Sequence, residues 1–327
     1  MNVQSSNILE VESLSVRFGE SRAKAVDGIS FGLTKGETLG IAGESGSGKT
    51  ASILSILGLH QRATVEGSAQ FEGQELIGAD NKLLNKIRGK RIGLVLQDPF
   101  AALDPVKTVG HQISEGLRAS GWSKKRAMNH AIHLLEEVGV PSASQRVNAY
   151  PHQFSGGMRQ RVVIAMALAQ DPDILIADEP TTALDVRIQK QVLDLMKQQC
   201  ESRGMSLVII THDLGVISNY TDRIVIMYAG KIVEESSRLK LFDQPLHPYT
   251  QGLLDCLPTL GHSENEYLKT IGGQPPIPGK LPSGCRYHPR CAFTEPACTN
   301  GNNPPLVPVK WGRSACIQLE KFLKESQ

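Results

Sequence analysis

Leu14, Val16 and Phe18 alternate with polar neighbours, the period of a half-buried strand. Glu37–Ala42 is a short apolar run that ends in the glycine-rich stretch Gly43–Thr50, and Ala51–Leu59 then reads as a helix. Farther on, Ala127, Ala131, Leu134, Leu135 and Val138 keep helical spacing behind Ser123, a good N-cap, until Gly139 and Pro141 close the element. Residues 98–157 therefore read as a mostly helical insertion. The pattern then predicts an apolar helix over Val162–Ala169 and a buried strand over Ile174–Ala177, ending at Asp178. A helix over Ile188–Cys200 and a second buried strand over Leu207–Thr211 follow. Strands alternating with helices predict a largely parallel sheet.

The 327 residues suit two domains, or one large domain with an appendage. With 40% apolar and 21% charged residues, a sizeable core is available and wholesale disorder is excluded. Lys plus Arg is 35 against 33 for Asp plus Glu, so no basic excess advertises nucleic acid as a partner. Residues 1–10 lack the charged and apolar regions of a signal peptide. The longest apolar stretches fall far short of the roughly 20 residues that span a bilayer. The chain is therefore expected in the cytoplasm, with any membrane association made through another subunit.

Nine of the 18 prolines lie after residue 270, as do four of the six cysteines, Cys285, Cys291, Cys298 and Cys316. This shift marks a separate, loop-rich C-terminal segment. In a reducing compartment clustered cysteines favour a metal or cluster site over disulfides. Zinc sites favour shorter Cys-to-Cys spacing, and the longer spacing here suits four-cysteine iron–sulfur ligation better. The expectation is a [4Fe–4S] centre on these four residues, with zinc as the alternative. Cys200 and Cys256 read as packing cysteines.

Gly43, Glu44, Ser45, Gly46, Ser47, Gly48, Lys49 and Thr50 fit the P-loop pattern. Glycines let the backbone wrap round phosphates so that several N–H groups face one anion, and the following helix adds its positive N-terminal end. Lys49 is expected to reach the β- and γ-phosphates, and the Thr50 hydroxyl to ligate Mg²⁺. A Mg²⁺-bound triphosphate also needs a carboxylate at the end of a neighbouring strand. Asp178 supplies it, and Glu179 is placed to polarise the attacking water.

Phe154-Ser155-Gly156-Gly157-Met158 resembles the signature motif of ABC-type ATPases, usually LSGGQ. Gln97 resembles that family's Q-loop, Ala183-Leu184-Asp185 its D-loop, and Thr211-His212-Asp213 its switch-histidine segment. Phe154 and Met158 depart from the commonest signature; the Ser-Gly-Gly centre is intact. The resemblance covers about residues 8–235. It implies an α/β P-loop ABC-type ATPase core with a mostly helical subdomain and a small loop-rich C-terminal extension. The expected divisions are 1–97 and 158–240 for the core, 98–157 for the helical subdomain and 241–327 for the extension.

Roles implied by the resemblance follow position by position. Phe18 stacks on adenine, against the alternative of a core-facing strand residue. Gln97 senses Mg²⁺ and the attacking water, so Mg²⁺ is held through Thr50, Gln97 and Asp178. Glu179 is the general base, and His212 bonds the γ-phosphate. Ser155, Gly156 and Gly157 close in trans on ATP held by a second chain, and Asp185 organises that interface.

His247-Pro248-Tyr249-Thr250, followed by Gln251–Leu254, resembles the C-terminal extension of ATP-binding subunits of dipeptide and oligopeptide importers. The resemblance implies MgATP as cofactor and a second homologous ATP-binding subunit as partner. It also implies two membrane permease subunits, an extracytoplasmic peptide-binding protein, and a place on the cytoplasmic face of the bacterial inner membrane. Nickel or another small solute is the alternative cargo. A soluble ABC-type ATPase acting on nucleic acid is a remoter one, which the single P-loop and near-neutral charge disfavour.

Overall fold

A computed structural model describes residues 7–19, 23–60, 62–182, 184–257 and 270–321. The chain divides into two compact units. One comprises residues 1–34, 38–79 and 210–327; the other comprises 35–37 and 80–209. The strands are β1 (Asn7–Phe18), β2 (Lys24–Thr34), β3 (Thr38–Ala42), β4 (Ala63–Phe71), β5 (Gln74–Glu75) and β6 (Ile92–Val95). They continue with β7 (Ile174–Asp178), β8 (Ser206–Thr211), β9 (Arg223–Tyr228), β10 (Lys231–Ser237), β11 (Val307–Val309) and β12 (Gly312–Ser314).

The first unit holds an antiparallel sheet in the order β2-β1-β4-β5 and a second run of strands, β11-β12-β10-β9-β3. In that run β3 lies parallel to β9, while β9, β10, β12 and β11 pair antiparallel. The expected parallel pairing holds for β3 with β9 and for β6 with β7, whereas the antiparallel edge β10-β12-β11 was not foreseen. What hid the antiparallel part is its turn chemistry. The β9–β10 hairpin closes through Ala229 and Gly230, both at positive φ (45° and 82°). That is the backbone of a tight two-residue turn, but Ala-Gly is a weaker signal than Asn-Gly.

In the second unit β6 pairs parallel with β7, whose other neighbour is β8. Every residue of β7 and of Ser206–Ile209 is buried, as expected of strands covered on both faces. The longer helices of this unit are Val109–Ala119, Lys124–Glu137, Gly156–Leu168 and Val186–Arg203. Ser123 caps Lys124–Glu137 by accepting from the Arg126 N–H, and Ala127, Ala131, Leu134 and Leu135 form its buried face. The 3.6-residue period thus marked a real helix and its core side.

Candidate nucleotide site

Strand β3 ends at buried Ala42, and the chain turns sharply at Gly43. Gly43 has φ 149°, and a Cβ there would stand 2.1 Å from the Met227 carbonyl oxygen. Gly48, with φ 102°, caps the helix Lys49–Ile56, and a Cβ there would meet the Ala25 oxygen at 2.7 Å. Neither position admits a side chain without moving backbone. Lys49 folds back over the loop: its Nζ donates to the Gly43 oxygen at 2.7 Å and the Glu44 oxygen at 3.0 Å. The Ser47 hydroxyl is buried and meets no hydrogen-bond partner among the described residues. Ser45, Gly46 and Thr50 are exposed. Phe18 is 38% exposed and meets His60 edge-on at 4.9 Å, so it is not the core-facing residue of the alternative reading.

The C-terminal segment of the same unit reaches this loop. The Glu44 N–H donates to the Tyr249 hydroxyl at 2.9 Å. Arg290 grips the Glu44 carboxylate through Nη1–Oε2 at 2.7 Å and Nη2–Oε1 at 2.9 Å. Tyr228, Tyr249 and Tyr287 pack ring against ring beside it. His-Pro-Tyr is therefore more than a turn. His247 Nδ1 accepts from the Tyr249 N–H and caps the helix Pro248–Asp255. The buried Glu234 carboxylate accepts from the Leu246 and His247 N–H groups. Burial pushes the His247 imidazole down to about 3, so it is neutral and able to accept. Sequence reasoning missed Arg290 entirely. Nothing in its local pattern ties it to a residue 246 positions earlier.

In the second unit Asp178 ends β7 and is 4% exposed. Glu179 follows with φ 45°, a conformation that costs a non-glycine residue about 1–3 kcal/mol and tends to gather at functional sites. Its Oε2 accepts from Gln97 Nε2 at 3.1 Å and from the Thr182 hydroxyl at 2.9 Å. Gln97 and Glu179, 82 positions apart, thus meet. Thr182 was not foreseen.

Ser155 caps the helix Gly156–Leu168 by accepting from the Met158 N–H at 3.4 Å. Ser155, Gly156 and Gly157 line an open groove with Arg161, Asp185 and Ile188. Asp185 caps its own helix through the Ile188 N–H at 3.0 Å. Ala183, part of the expected D-loop, lies outside the described residues. His212, in the first unit, is exposed just beyond β8.

Residues 26–182 match the ABC transporter family, and residues 233–298 match the oligopeptide/dipeptide transporter C-terminal region. The chain is 45% identical to the oligopeptide transport ATP-binding protein AppD of Bacillus subtilis, over 97% of this chain and 98% of that one. It is 43% identical to the oligopeptide transport ATP-binding protein OppD of Haemophilus influenzae, over 96% and 98%. The chain belongs to the ABC transporter ATP-binding proteins of the oligopeptide/dipeptide family. The fold agrees. A dimeric ATP-binding cassette solved in a post-hydrolysis state with ADP and Pi superposes with a TM-score of 0.63 at 29% identity, covering 70% of this chain and 98% of that one. This family member is thus a P-loop α/β ATPase that uses MgATP. Among the described residues no helix is long and apolar enough to cross a membrane.

The four late cysteines of this ABC protein line one cavity with Phe293 and Ile317. All four are free thiols. Burial pushes Cys316 up to about 12 and raises Cys285 and Cys291 as well. Cys285 and Cys298 are further tied by the Cys285 N–H to Cys298 oxygen bond at 2.9 Å. Among the described residues, however, no three His, Cys, Asp or Glu side chains gather closely enough to hold a metal ion. The four thiols share a cavity without forming such a group.

Proposed function

We propose that this chain is the energy-coupling subunit of a multi-subunit importer of dipeptides and oligopeptides, acting at the cytoplasmic face of the bacterial inner membrane. The observation that carries the reading is the union, in one chain, of the P-loop with a C-terminal region of oligopeptide/dipeptide type that bonds to it. The loop amides and Lys49 hold the triphosphate, and Thr50, Asp178 and Gln97 serve the magnesium ion. Glu179 orients and deprotonates the attacking water, with Gln97 and Thr182 fixing its carboxylate, and His212 bonds the γ-phosphate. Phe18 offers its exposed ring to adenine. Ser155, Gly156 and Gly157 present helix-tip amides to the ATP of a second, homologous subunit, next to Asp185. Charge on the phosphoryl oxygens is then met by fixed donors, so positioning and electrostatics supply most of the rate. Two permease subunits and an extracytoplasmic peptide-binding protein complete the assembly.

The four-cysteine cavity is the candidate place for a [4Fe–4S] cluster, with zinc as the alternative. The donor set supports this reading: four sulfurs face one cavity, and burial raises the thiols of Cys285, Cys291 and Cys316, a cost that a cationic centre would offset. Cys285, Cys291, Cys298 and Cys316 would hold it, and it would tie together loops too small to bury a core.

The decisive test is the Glu179→Gln variant in the reconstituted importer. ATP turnover is expected to fall at least about 100-fold with MgATP binding retained. Full turnover would refute the assignment of Glu179. Uptake of labelled dipeptide, but not of nickel, by cells dependent on the complex tests the cargo.

A further inference from the structure

The phosphate loop of this chain carries an acid at its second position, where a polyanion is to be received. Glu44 is one-quarter exposed, whereas the Arg290 side chain that grips it is only 4% exposed. The contact is bidentate, the geometry in which guanidinium and carboxylate bond most strongly. Arg290 is itself held in place. Its Nε donates to the Gly272 oxygen at 2.9 Å, and its Nη1 reaches the Tyr228 hydroxyl at 3.4 Å. A second arginine of the same short segment, Arg286, donates to the Ala229 oxygen at 2.6 Å and pairs with Asp27. The turn it grips also touches the loop, through the Gly230 N–H to Ser47 oxygen bond at 2.9 Å.

An uncompensated carboxylate in this loop would repel the triphosphate and would be free to turn toward Lys49. We infer that Arg290 is a positioning residue for nucleotide binding. It neutralises Glu44 and, together with the Tyr249 hydroxyl on the Glu44 N–H, holds the phosphate loop in its receptive shape. The inference rests on the reading of Gly43–Thr50 as the ATP phosphate site. It gives the C-terminal segment a function in ATP binding that none of the ATPase motifs contains.

The test measures the Kd of the full-length chain for MgATP, and the KM and kcat of the reconstituted complex. Arg290→Ala is expected to raise Kd and KM at least about tenfold, equivalent to 1.4 kcal/mol, with kcat changed far less. Adding Glu44→Gln to that variant is expected to recover most of the loss, because the repelling charge is gone. Recovery of this kind is not expected of a merely structural arginine. Glu44→Gln alone is expected to tighten MgATP binding about threefold, since it leaves the guanidinium beside the phosphates. This single variant keeps the inference testable if Arg290→Ala does not fold. An unchanged Kd in Arg290→Ala, a loss that Glu44→Gln does not repair, or weaker binding in Glu44→Gln alone would each overturn it. Lys49→Ala is measured alongside: intact MgATP binding there would instead sink the phosphate-loop reading.

Discussion

Glu234 offers the sharpest test of how the C-terminal segment is fastened. Its carboxyl is wholly buried at the centre of β10 and accepts from the Leu246 N–H at 3.0 Å and the His247 N–H at 2.9 Å. Burial dominates and pushes it from 4.5 up to about 7, although the two amides pull the other way. The acid is thus raised in the fold, so the native chain binds a proton more tightly than the unfolded one. Its contribution is fully present below pH 4.5 and is lost as pH rises through 7. A shift from 4.5 to 7 corresponds to about 3 kcal/mol in all, at 1.4 kcal/mol per pH unit within that window. Glu234→Gln removes the titration and sets its amide NH₂ against a backbone N–H, at a pH-independent cost of about 1–3 kcal/mol. The wild type should therefore be clearly more stable than Glu234→Gln at pH 5, and should lose most or all of that advantage by pH 8. Urea midpoints of both proteins at half-unit pH steps measure the difference, in which other titrating groups cancel. A difference that stays constant from pH 5 to pH 8 would show that Glu234 does not titrate there, and the reasoning would fail.

Two further outcomes follow from the geometry. At Gly157 an added Cβ would stand 2.7 Å from the Ile188 Cγ2, so Gly157→Ala is expected to cost about 1–3 kcal/mol and to lower ATPase turnover of the complex at least tenfold. Ile188→Ala in the same chain should restore part of both, and no recovery would rule out the steric cause. Cys291→Ser is expected to strip most iron and acid-labile sulfide from anaerobically purified protein, while Cys200→Ser leaves them unchanged. A wild type without iron, or a Cys291→Ser protein with its full complement, would remove the cluster.

What the sequence disclosed was whatever local chemistry dictates. The Gly43–Thr50 loop follows from glycine at positions where a Cβ would strike backbone, and the strand ending at Asp178 follows from an unbroken apolar run. Ser123 announced its helix because a cap bonds only two or three residues ahead. The antiparallel strands were opaque for the opposite reason. β1, β2 and β4 are paired with large register irregularities, which blur the two-residue period. Pairings over long separations were opaque too. Gln97 and Glu179 were each named through the family resemblance but not as partners, and nothing pointed to the pairing of Arg290 with Glu44. The cysteines fell between these cases: their gathering at one cavity was legible, but the lack of a three-ligand group among the described residues was not.

The Ala229–Gly230 turn explains how an appended segment can act on a phosphate loop. Its Gly230 N–H bonds the Ser47 oxygen and its Gly230 oxygen accepts from the Asp27 N–H, both at 2.9 Å. Its Ala229 oxygen receives Arg286 from the C-terminal segment at 2.6 Å. One hairpin end thereby joins the loop, β2 and the extension. Asp27 sits beneath it. Burial works to raise its carboxyl, but Lys24, Lys231 and Arg286 outweigh that and hold it down at about 2, charged throughout the working range. The loop is thus braced at Glu44 and Ser47 by separate parts of the chain. A loop already in its binding shape loses little further freedom on binding. A chain that puts an acid in that loop needs such a brace all the more, because a carboxylate held by an arginine cannot swing toward the phosphates. On this argument the arginine of the extension and the acid at position 44 are two halves of one arrangement, and the acid is not expected to be tolerated well without the arginine.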